Sequence, residues 1–128
     1  EECVWCKRMD KQTLNDPSIS SYVEENFYAV ALNASSKEDI TFKDETYQFV
    51  KKSGRSYHEL AAKMTRGNLS FPSIVFFDED LNIIQSINGF KEKALFMRII
   101  TYFGYDYHKS IPWSEYQNQA LNASSVKE

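Results

Sequence analysis

Residues 2–7 read ECVWCK and contain both cysteines of the chain, Cys3 and Cys6. A disulfide that closes so short a loop removes little entropy from the unfolded chain, so stability is a poor reason for the pair. A zinc site usually takes four ligands, and the two histidines, His58 and His108, lie far apart in the sequence. The spacing instead favours thiol–disulfide exchange, in which one thiolate attacks a partner's disulfide and the second thiol resolves the mixed disulfide.

The residues after Cys6 predict a helix whose N-terminus carries Cys3. Residues 7–14 contain neither Gly nor Pro, and Met9 and Thr13 share a helical face with Cys6. Unpaired backbone N–H groups and the positive end of the helix dipole favour a thiolate at a helix start. We therefore expect Cys3 to be the catalytic nucleophile and Cys6, buried one turn later, to be the resolving thiol.

Composition limits the classes of function that are open to the chain. It has 128 residues, enough for one domain, of which 42% are hydrophobic and 26% charged. The 15 Lys and Arg against 18 Asp and Glu give a net charge of -3, and no basic run supports binding of nucleic acid.

No apolar run approaches the roughly 18 residues that a transmembrane segment needs. The chain opens at Glu1 without a signal-like segment, so we expect that a leader has been removed or that the chain was cut from a longer one.

The rest of the chain predicts alternating helices and strands. Asp16 followed by Pro17 is a helix-start signature, and the mostly apolar stretch 27–32 predicts a strand of a covered parallel sheet. The other predicted elements are a hairpin of 40–42 with 47–49, a helix with the capping box Ser56–Glu59 that Gly67 closes, an antiparallel hairpin of 73–77 with 83–87, and a helix over 91–103 that Gly104 ends. Trp113 is expected to pack the tail on the domain, and residues 124–128 are expected to be disordered.

Three parts of the chain together resemble a known family: residues 3–10 with the C-x-x-C motif, Asp16-Pro17, and the stretch FPSIVFF at 71–77 followed by Gly89-Phe90. They are similar to the thioredoxin-related proteins of the bacterial cell envelope, and the order of elements from Cys3 to Gly104 resembles the thioredoxin fold. The resemblance implies an α/β, thioredoxin-like fold with a central mixed β-sheet flanked by helices and with a hairpin insertion. It implies a thioredoxin-like domain over residues 1–104 and a C-terminal extension over residues 105–128.

The resemblance also implies an enzyme, a thiol:disulfide oxidoreductase. Cys3 would attack and Cys6 would resolve beside a cis proline, and the substrate would be bound by Val4, Trp5, Phe71 and Pro72. The partners would be protein thiols and disulfides and an upstream dithiol electron donor, and the chain would act as a monomeric reductant. No cofactor or metal is expected besides the redox-active Cys3–Cys6 disulfide. The implied compartment is the periplasm or cell envelope of a bacterium, reached through a leader that this chain does not include.

Two features depart from the family pattern. Glu2 stands where the family usually has an aromatic residue. The carboxylates of Glu1 and Glu2 oppose thiolate formation in the C-x-x-C motif, whereas Lys7 and Arg8 favour it, so the direction of the net effect stays open. The central strand of the fold normally ends just before the C-x-x-C motif, and we expect upstream residues or a neighbouring molecule to supply it.

The same residues allow other interpretations. One alternative is a non-catalytic thioredoxin-like module that binds polypeptide, in which the two cysteines are inert. Trp5 is either a platform that faces the substrate or a contact that caps the helix start. His58 and His108 are expected on solvated helix or loop surface, without a catalytic role.

Overall fold

The structure, a computed structural model, describes residues 3–119, which form two units. The first unit consists of the described chain up to Cys6 together with Val30–Phe90. The second consists of Lys7–Ala29 together with the described chain from Lys91 onward. Within residues 3–119, no helix is both long enough and apolar enough to cross a membrane.

Helices and short strands alternate along the described chain. In order, the elements are α1 (Val4–Met9), a π-helical turn (Asp10–Leu14), α2 (Pro17–Asn26), β1 (Ile40–Phe42), β2 (Glu45–Tyr47), β3 (Phe49–Lys52), β4 (Arg55–His58), α3 (Glu59–Met64), β5 (Ser73–Phe77), β6 (Ile83–Asn88), α4 (Lys93–Gly104), a 3₁₀ helix (Tyr107–Lys109) and a helical segment over residues 113–119. The described strands form three two-stranded antiparallel sheets, which pair β1 with β2, β3 with β4 and β5 with β6.

Left-handed turn residues shape the first two hairpins, both in the first unit. The predicted hairpin from residue 40 is confirmed, with its second strand two residues earlier than expected, and it turns at Lys43 and Asp44 with φ of 51° and 66°. A second hairpin, which we did not predict, turns at Ser53 and Gly54 with φ of 52° and 76°. Positive φ at both central residues is the geometry of tight type I′ turns, whose twist matches that of the strands.

Helix α3 begins later than the capping box predicted. Ser56 lies within β4 and pairs with β3, so the backbone is still extended where the prediction placed the N-cap. His58 is the N-cap instead, and its Nδ1 accepts a hydrogen bond of 3.2 Å from the backbone N–H of Leu60. The predicted end is confirmed, because Gly67 follows the helix with a left-handed φ of 87°.

His58 is completely buried, so the prediction of a solvated position is wrong. Its Nε2 lies 2.8 Å from the carbonyl oxygen of Glu38. Because Nδ1 accepts from Leu60, Nε2 carries the ring hydrogen and donates to that carbonyl. Both ring nitrogens therefore have partners within the protein, which allows a histidine to occupy the core.

The predicted hairpin of residues 73–77 with 83–87 is confirmed by β5 and β6, whose register pairs Ser73 with Asn88 at one end. At the other end Asp78 fixes the turn, since its Oδ1 accepts hydrogen bonds of 2.9 Å from the backbone N–H groups of Asp80 and Asn82. These bonds, with that from Asn82 the largest cause, lower the pKa of the Asp78 carboxyl. Hydrogen bonds to Asp78 thus fix the turn of the hairpin, and its other end adjoins Pro72, which directly precedes β5.

The predicted parallel strand over residues 27–32 is wrong, because this stretch has no regular secondary structure. Tyr28 and Val30 are almost fully exposed although both are large and apolar. A strand is held by hydrogen bonds to a neighbouring backbone, and none of the described strands pairs with this stretch. The expected α/β class is confirmed, but the described strands form three separate two-stranded antiparallel sheets and not the expected central mixed β-sheet. The source of a central strand stays a prediction.

The start of the second unit confirms the helical face predicted from the sequence. Met9 and Thr13 are both buried, and the Thr13 hydroxyl donates to the carbonyl of Lys91 at 2.6 Å. Asp16 caps α2 as predicted, since its carboxylate accepts from the backbone N–H groups of Ser18 and Ile19. The π-helical turn between the two helices was not predicted.

The last predicted helix is confirmed as α4, which buries Phe96, Ile99 and Ile100. Its N-cap is Glu92, whose carboxylate accepts from the backbone N–H groups of two residues in the first turn. Gly104 is the final residue of the helix and Tyr105 is its C-cap, so the helix ends one residue later than predicted.

The tail after α4 packs through Trp113, as predicted, because the Trp113 and Tyr102 ring centroids lie 5.2 Å apart. His108 was expected on a solvated surface, but it is only partly exposed and its ring centroid lies 5.2 Å from that of Phe103. The predicted disorder of residues 124–128 lies outside the described residues.

Candidate active site

Cys3 and Cys6 form a disulfide at the start of α1. Their Cα atoms lie 5.1 Å apart, and both residues are partly exposed. The prediction that Cys6 is buried is therefore wrong. The Cys6 sulfur is bonded to Cys3, which precedes the helix. On the helical face that contains Cys6, Met9 and Thr13, the first buried residue is Met9.

The sulfur of Cys3 occupies the N-cap position of α1. Its Sγ accepts a hydrogen bond of 3.2 Å from the backbone N–H of Cys6, the third residue of the helix. A side-chain acceptor at the N-cap normally takes this bond, because the first N–H groups of a helix have no partner within it. The predicted placement of Cys3 at a helix start is confirmed, and the backbone there favours a negative charge on its sulfur.

Two apolar side chains separate the cysteines, and both are exposed. Val4 is 61% exposed and Trp5 is 51% exposed. The ring of Trp5 also contacts that of Phe90, with centroids 5.7 Å apart and planes tilted by 53°. Trp5, the residue before Cys6 in the sequence, is therefore packed against Phe90 and still about half exposed.

The turn at Phe71 and Pro72 lies at the open end of the β5–β6 hairpin. The peptide bond between these residues is cis, the isomer that the resemblance implied. The backbone N–H of Gly89 donates to the carbonyl of Pro72 at 2.8 Å, which extends the pairing of the hairpin beyond Ser73. Gly89 is followed by Phe90, whose ring contacts that of Trp5. Residues 89 and 90 therefore link Pro72 to Trp5 of the C-x-x-C loop. Direct contact between Pro72 and Cys3 stays a prediction.

A set of short polar side chains holds the base of this turn. The Ser73 hydroxyl donates to the carbonyl of Ser70 at 2.5 Å and accepts from the Asn88 amide at 2.8 Å. Asn68 Oδ1 in turn accepts from the hydroxyl of Ser70 at 2.6 Å. These bonds tie the stretch before β5 to the end of β6.

Sequence reasoning missed Phe90, Ser73 and Asn88 as residues of the site. In the sequence Phe90 stands out only as part of a family motif, and the fold brings it into contact with Trp5 of the C-x-x-C loop. Ser73 and Asn88 carried no local signal, because their bond depends on the register of β5 and β6. A cross-strand pair of polar residues becomes visible only once that register is known.

Charged residues flank the cysteines in sequence. Glu1 and Glu2 lie outside the described residues, so their effect on a Cys3 thiolate stays a prediction. Lys7 and Arg8 are exposed on α1. Between residues 3 and 119, no three or more His, Cys, Asp and Glu side chains are grouped so that they could hold a metal ion.

Comparison with protein families matches residues 1–104 to a thioredoxin-like domain. Comparisons with curated proteins and with solved structures gave no match. The matched range covers most of the chain, and it includes the C-x-x-C loop, the Pro72 turn and the β5–β6 hairpin. The chain therefore belongs to the thioredoxin-like domain family.

Proposed function

We propose that the chain is a thiol:disulfide oxidoreductase that exchanges the Cys3/Cys6 dithiol with disulfides of other proteins and acts as a reductant. The observation that carries the proposal is the Cys3–Cys6 disulfide at a helix start, with the Cys6 N–H directed at the Cys3 sulfur. Membership of the thioredoxin-like family supports it.

In the reduced state Cys3 is the attacking group. Its thiolate forms a bond to one sulfur of the partner's disulfide, the partner's S–S bond breaks, and the released sulfur leaves as a thiolate that takes up a proton. The Cys6 thiolate then attacks the Cys3 sulfur of the mixed disulfide. The Cys3–Cys6 bond forms and the partner's remaining sulfur leaves as a second thiolate. Two electrons have then passed from the chain to its partner.

The oxidised chain must be reduced before the next turnover. We propose an upstream dithiol protein as the electron donor, whose two thiols become a disulfide as Cys3 and Cys6 return to thiols. Each step exchanges one S–S bond for another, so the cycle needs no cofactor besides the redox-active disulfide.

We propose that Val4, Trp5, Phe71 and Pro72 bind the polypeptide around the target disulfide. Three of these side chains are large, apolar and exposed: Val4, Trp5 and Phe71. Pro72 has no backbone N–H, which leaves that edge of the turn open to an extended peptide.

We propose that the chain acts as a monomer in the periplasm or cell envelope of a bacterium. The similarity of its C-x-x-C and Pro72 stretches to those of envelope proteins supports this location. Fractionation of producing cells and size-exclusion chromatography test the two parts separately.

Reduction of a protein disulfide tests the enzyme against the non-catalytic binding module. The assay follows reduction of insulin by excess dithiothreitol, with catalytic amounts of the chain. We expect the wild type to accelerate the reaction and the double variant Cys3→Ser/Cys6→Ser to leave it at the uncatalysed rate. A wild type that binds a peptide substrate, as measured by fluorescence anisotropy, without accelerating reduction would instead support the binding module.

A further inference from the structure

The C-x-x-C loop presents two bulky apolar side chains, one next to each cysteine in the sequence. Val4 adjoins Cys3 and Trp5 adjoins Cys6, both are at least half exposed, and neither carries a charge. Single exposed apolar side chains are normal on a protein surface, but these two occupy both positions between the reactive cysteines. A partner sulfur that reaches Cys3 therefore brings its own neighbouring residues over this loop.

Trp5 is held in place by Phe90. The two rings pack with their centroids 5.7 Å apart, and the hydrogen bond of 2.8 Å from Gly89 to Pro72 fixes the backbone next to Phe90. Packing on Phe90 restricts rotation of the Trp5 side chain. Its exposed part is thus a preformed surface, and covering a preformed surface costs little further ordering.

We infer that the Trp5–Phe90 pair makes the chain selective for protein disulfides in which a large apolar side chain adjoins the target cysteine. The inference rests on the proposed function. An aromatic or aliphatic side chain placed over the pair loses contact with water, which is favourable, whereas a polar side chain there loses hydration without gaining a partner. Oxidised glutathione, a small anionic disulfide without an apolar side chain, should be a poor substrate for the same reason.

The test uses two peptide disulfides that differ only in the residue next to the cysteine, Phe in one and Ser in the other. We expect the wild type to reduce the Phe peptide with a kcat/KM about tenfold higher, equivalent to about 1.4 kcal/mol. Trp5→Ala should bring the ratio of the two kcat/KM values close to one. Phe90→Ala should lower it because Trp5 loses its support, and Trp5→Phe should keep most of it.

Leu81→Ala provides the matched control. Leu81 is also a large apolar side chain, 47% exposed, and it lies in the turn at the opposite end of the β5–β6 hairpin. Its loss should leave the ratio at the wild-type value.

The outcomes separate the inference from the proposed function. Equal kcat/KM values for the two peptides in the wild type, or a ratio that survives both Trp5→Ala and Phe90→Ala, would overturn the inference and leave the oxidoreductase intact. If the wild type reduced neither of the two peptides nor insulin, the proposed function would be overturned, and the inference with it.

Discussion

The backbone N–H of Cys6 donates a hydrogen bond of 3.2 Å to Sγ of Cys3. Both cysteines are partly exposed, so exposure does not distinguish them. The hydrogen bond distinguishes the two cysteines, because only Cys3 accepts it and so acts as the N-cap of the helix. A thiolate accepts such a bond more strongly than a thiol does, so the backbone favours Cys3 as the attacking sulfur.

Trapping with single-cysteine variants tests this order of attack. Cys6→Ser leaves Cys3 able to attack but removes the resolving thiol, so a stable mixed disulfide with a protein substrate should accumulate. Cys3→Ser should accumulate none. Non-reducing electrophoresis followed by mass spectrometry identifies the adduct. The reverse pattern would assign the attack to Cys6, and trapping by neither variant would favour the non-catalytic module.

A pH-dependent contribution to stability is expected at the start of α4. Glu92 accepts hydrogen bonds from the backbone N–H groups of Leu95 at 2.7 Å and Ala94 at 3.0 Å. These bonds, that from Leu95 first, lower the pKa of the Glu92 carboxyl from its ordinary value of 4.5. The stabilisation is therefore fully present above pH 4.5 and is lost as the pH falls through the lowered pKa of the folded state.

Glu92→Ala should accordingly lower the midpoint of thermal unfolding at neutral pH and have a smaller effect in acid. Glu115→Ala, at an exposed position of the helical segment over residues 113–119, is the control. Thermal unfolding followed by circular dichroism at several pH values measures both variants. An equal loss at neutral and acid pH would show that the carboxylate charge does not contribute to the cap.

The buried histidine is expected to matter for stability. His58→Leu removes the hydrogen bonds to the Glu38 carbonyl and from the Leu60 N–H, at 2.8 Å and 3.2 Å. A buried polar group left without a partner costs about 1 to 3 kcal/mol, so the free energy of unfolding should fall by about 2 kcal/mol or more. Urea denaturation measures it, with Arg55→Gln at an exposed position of β4 as the control. A loss no larger than that of the control would rule out a stabilising role for these bonds.

The features that could be predicted from the sequence are those that depend on neighbouring residues. The cap at Asp16, the hairpin of 73–77 with 83–87 and the position of Cys3 at a helix start each rest on a few adjacent side chains. The strand predicted at 27–32 failed because apolar composition does not supply the neighbouring backbone that a strand requires. The capping box at Ser56 failed because pairing with β3 keeps the backbone extended there.

In the candidate site, too, features carried by neighbouring residues could be predicted, whereas features that depend on the fold could not. Its two sulfurs and the apolar residues between them could be identified from the C-x-x-C stretch alone. The burial of Cys6 was predicted wrongly, because helical periodicity describes a face but does not show where along the helix that face becomes covered. The support that Phe90 gives to Trp5 joins residues far apart in the chain, and no local pattern could have shown it.

Gly104 and Tyr22 lie so close in the second unit that a methyl group added at Gly104 would overlap the Tyr22 hydroxyl and ring. Replacing Gly by Ala in a helix usually stabilises it by about 0.5 to 1 kcal/mol. Here we expect the opposite sign and a loss of about 1 to 3 kcal/mol from overpacking. The Tyr22 ring packs against Phe27 and Tyr105, with centroids 6.3 Å and 5.5 Å away, so it is not free to move aside.

The double variant Gly104→Ala/Tyr22→Phe tests whether this contact determines the sign. The Tyr22 hydroxyl is buried without a hydrogen-bond partner among residues 3–119, and burial is the largest of the causes that raise its pKa to about 12. Removing that hydroxyl should therefore cost little by itself and should relieve part of the overlap. Urea denaturation of the wild type, both single variants and the double variant completes a double-mutant cycle. We expect the double variant to be more stable than Gly104→Ala alone, whereas strictly additive effects would mean that the loss at Gly104 arises from something other than the Tyr22 hydroxyl.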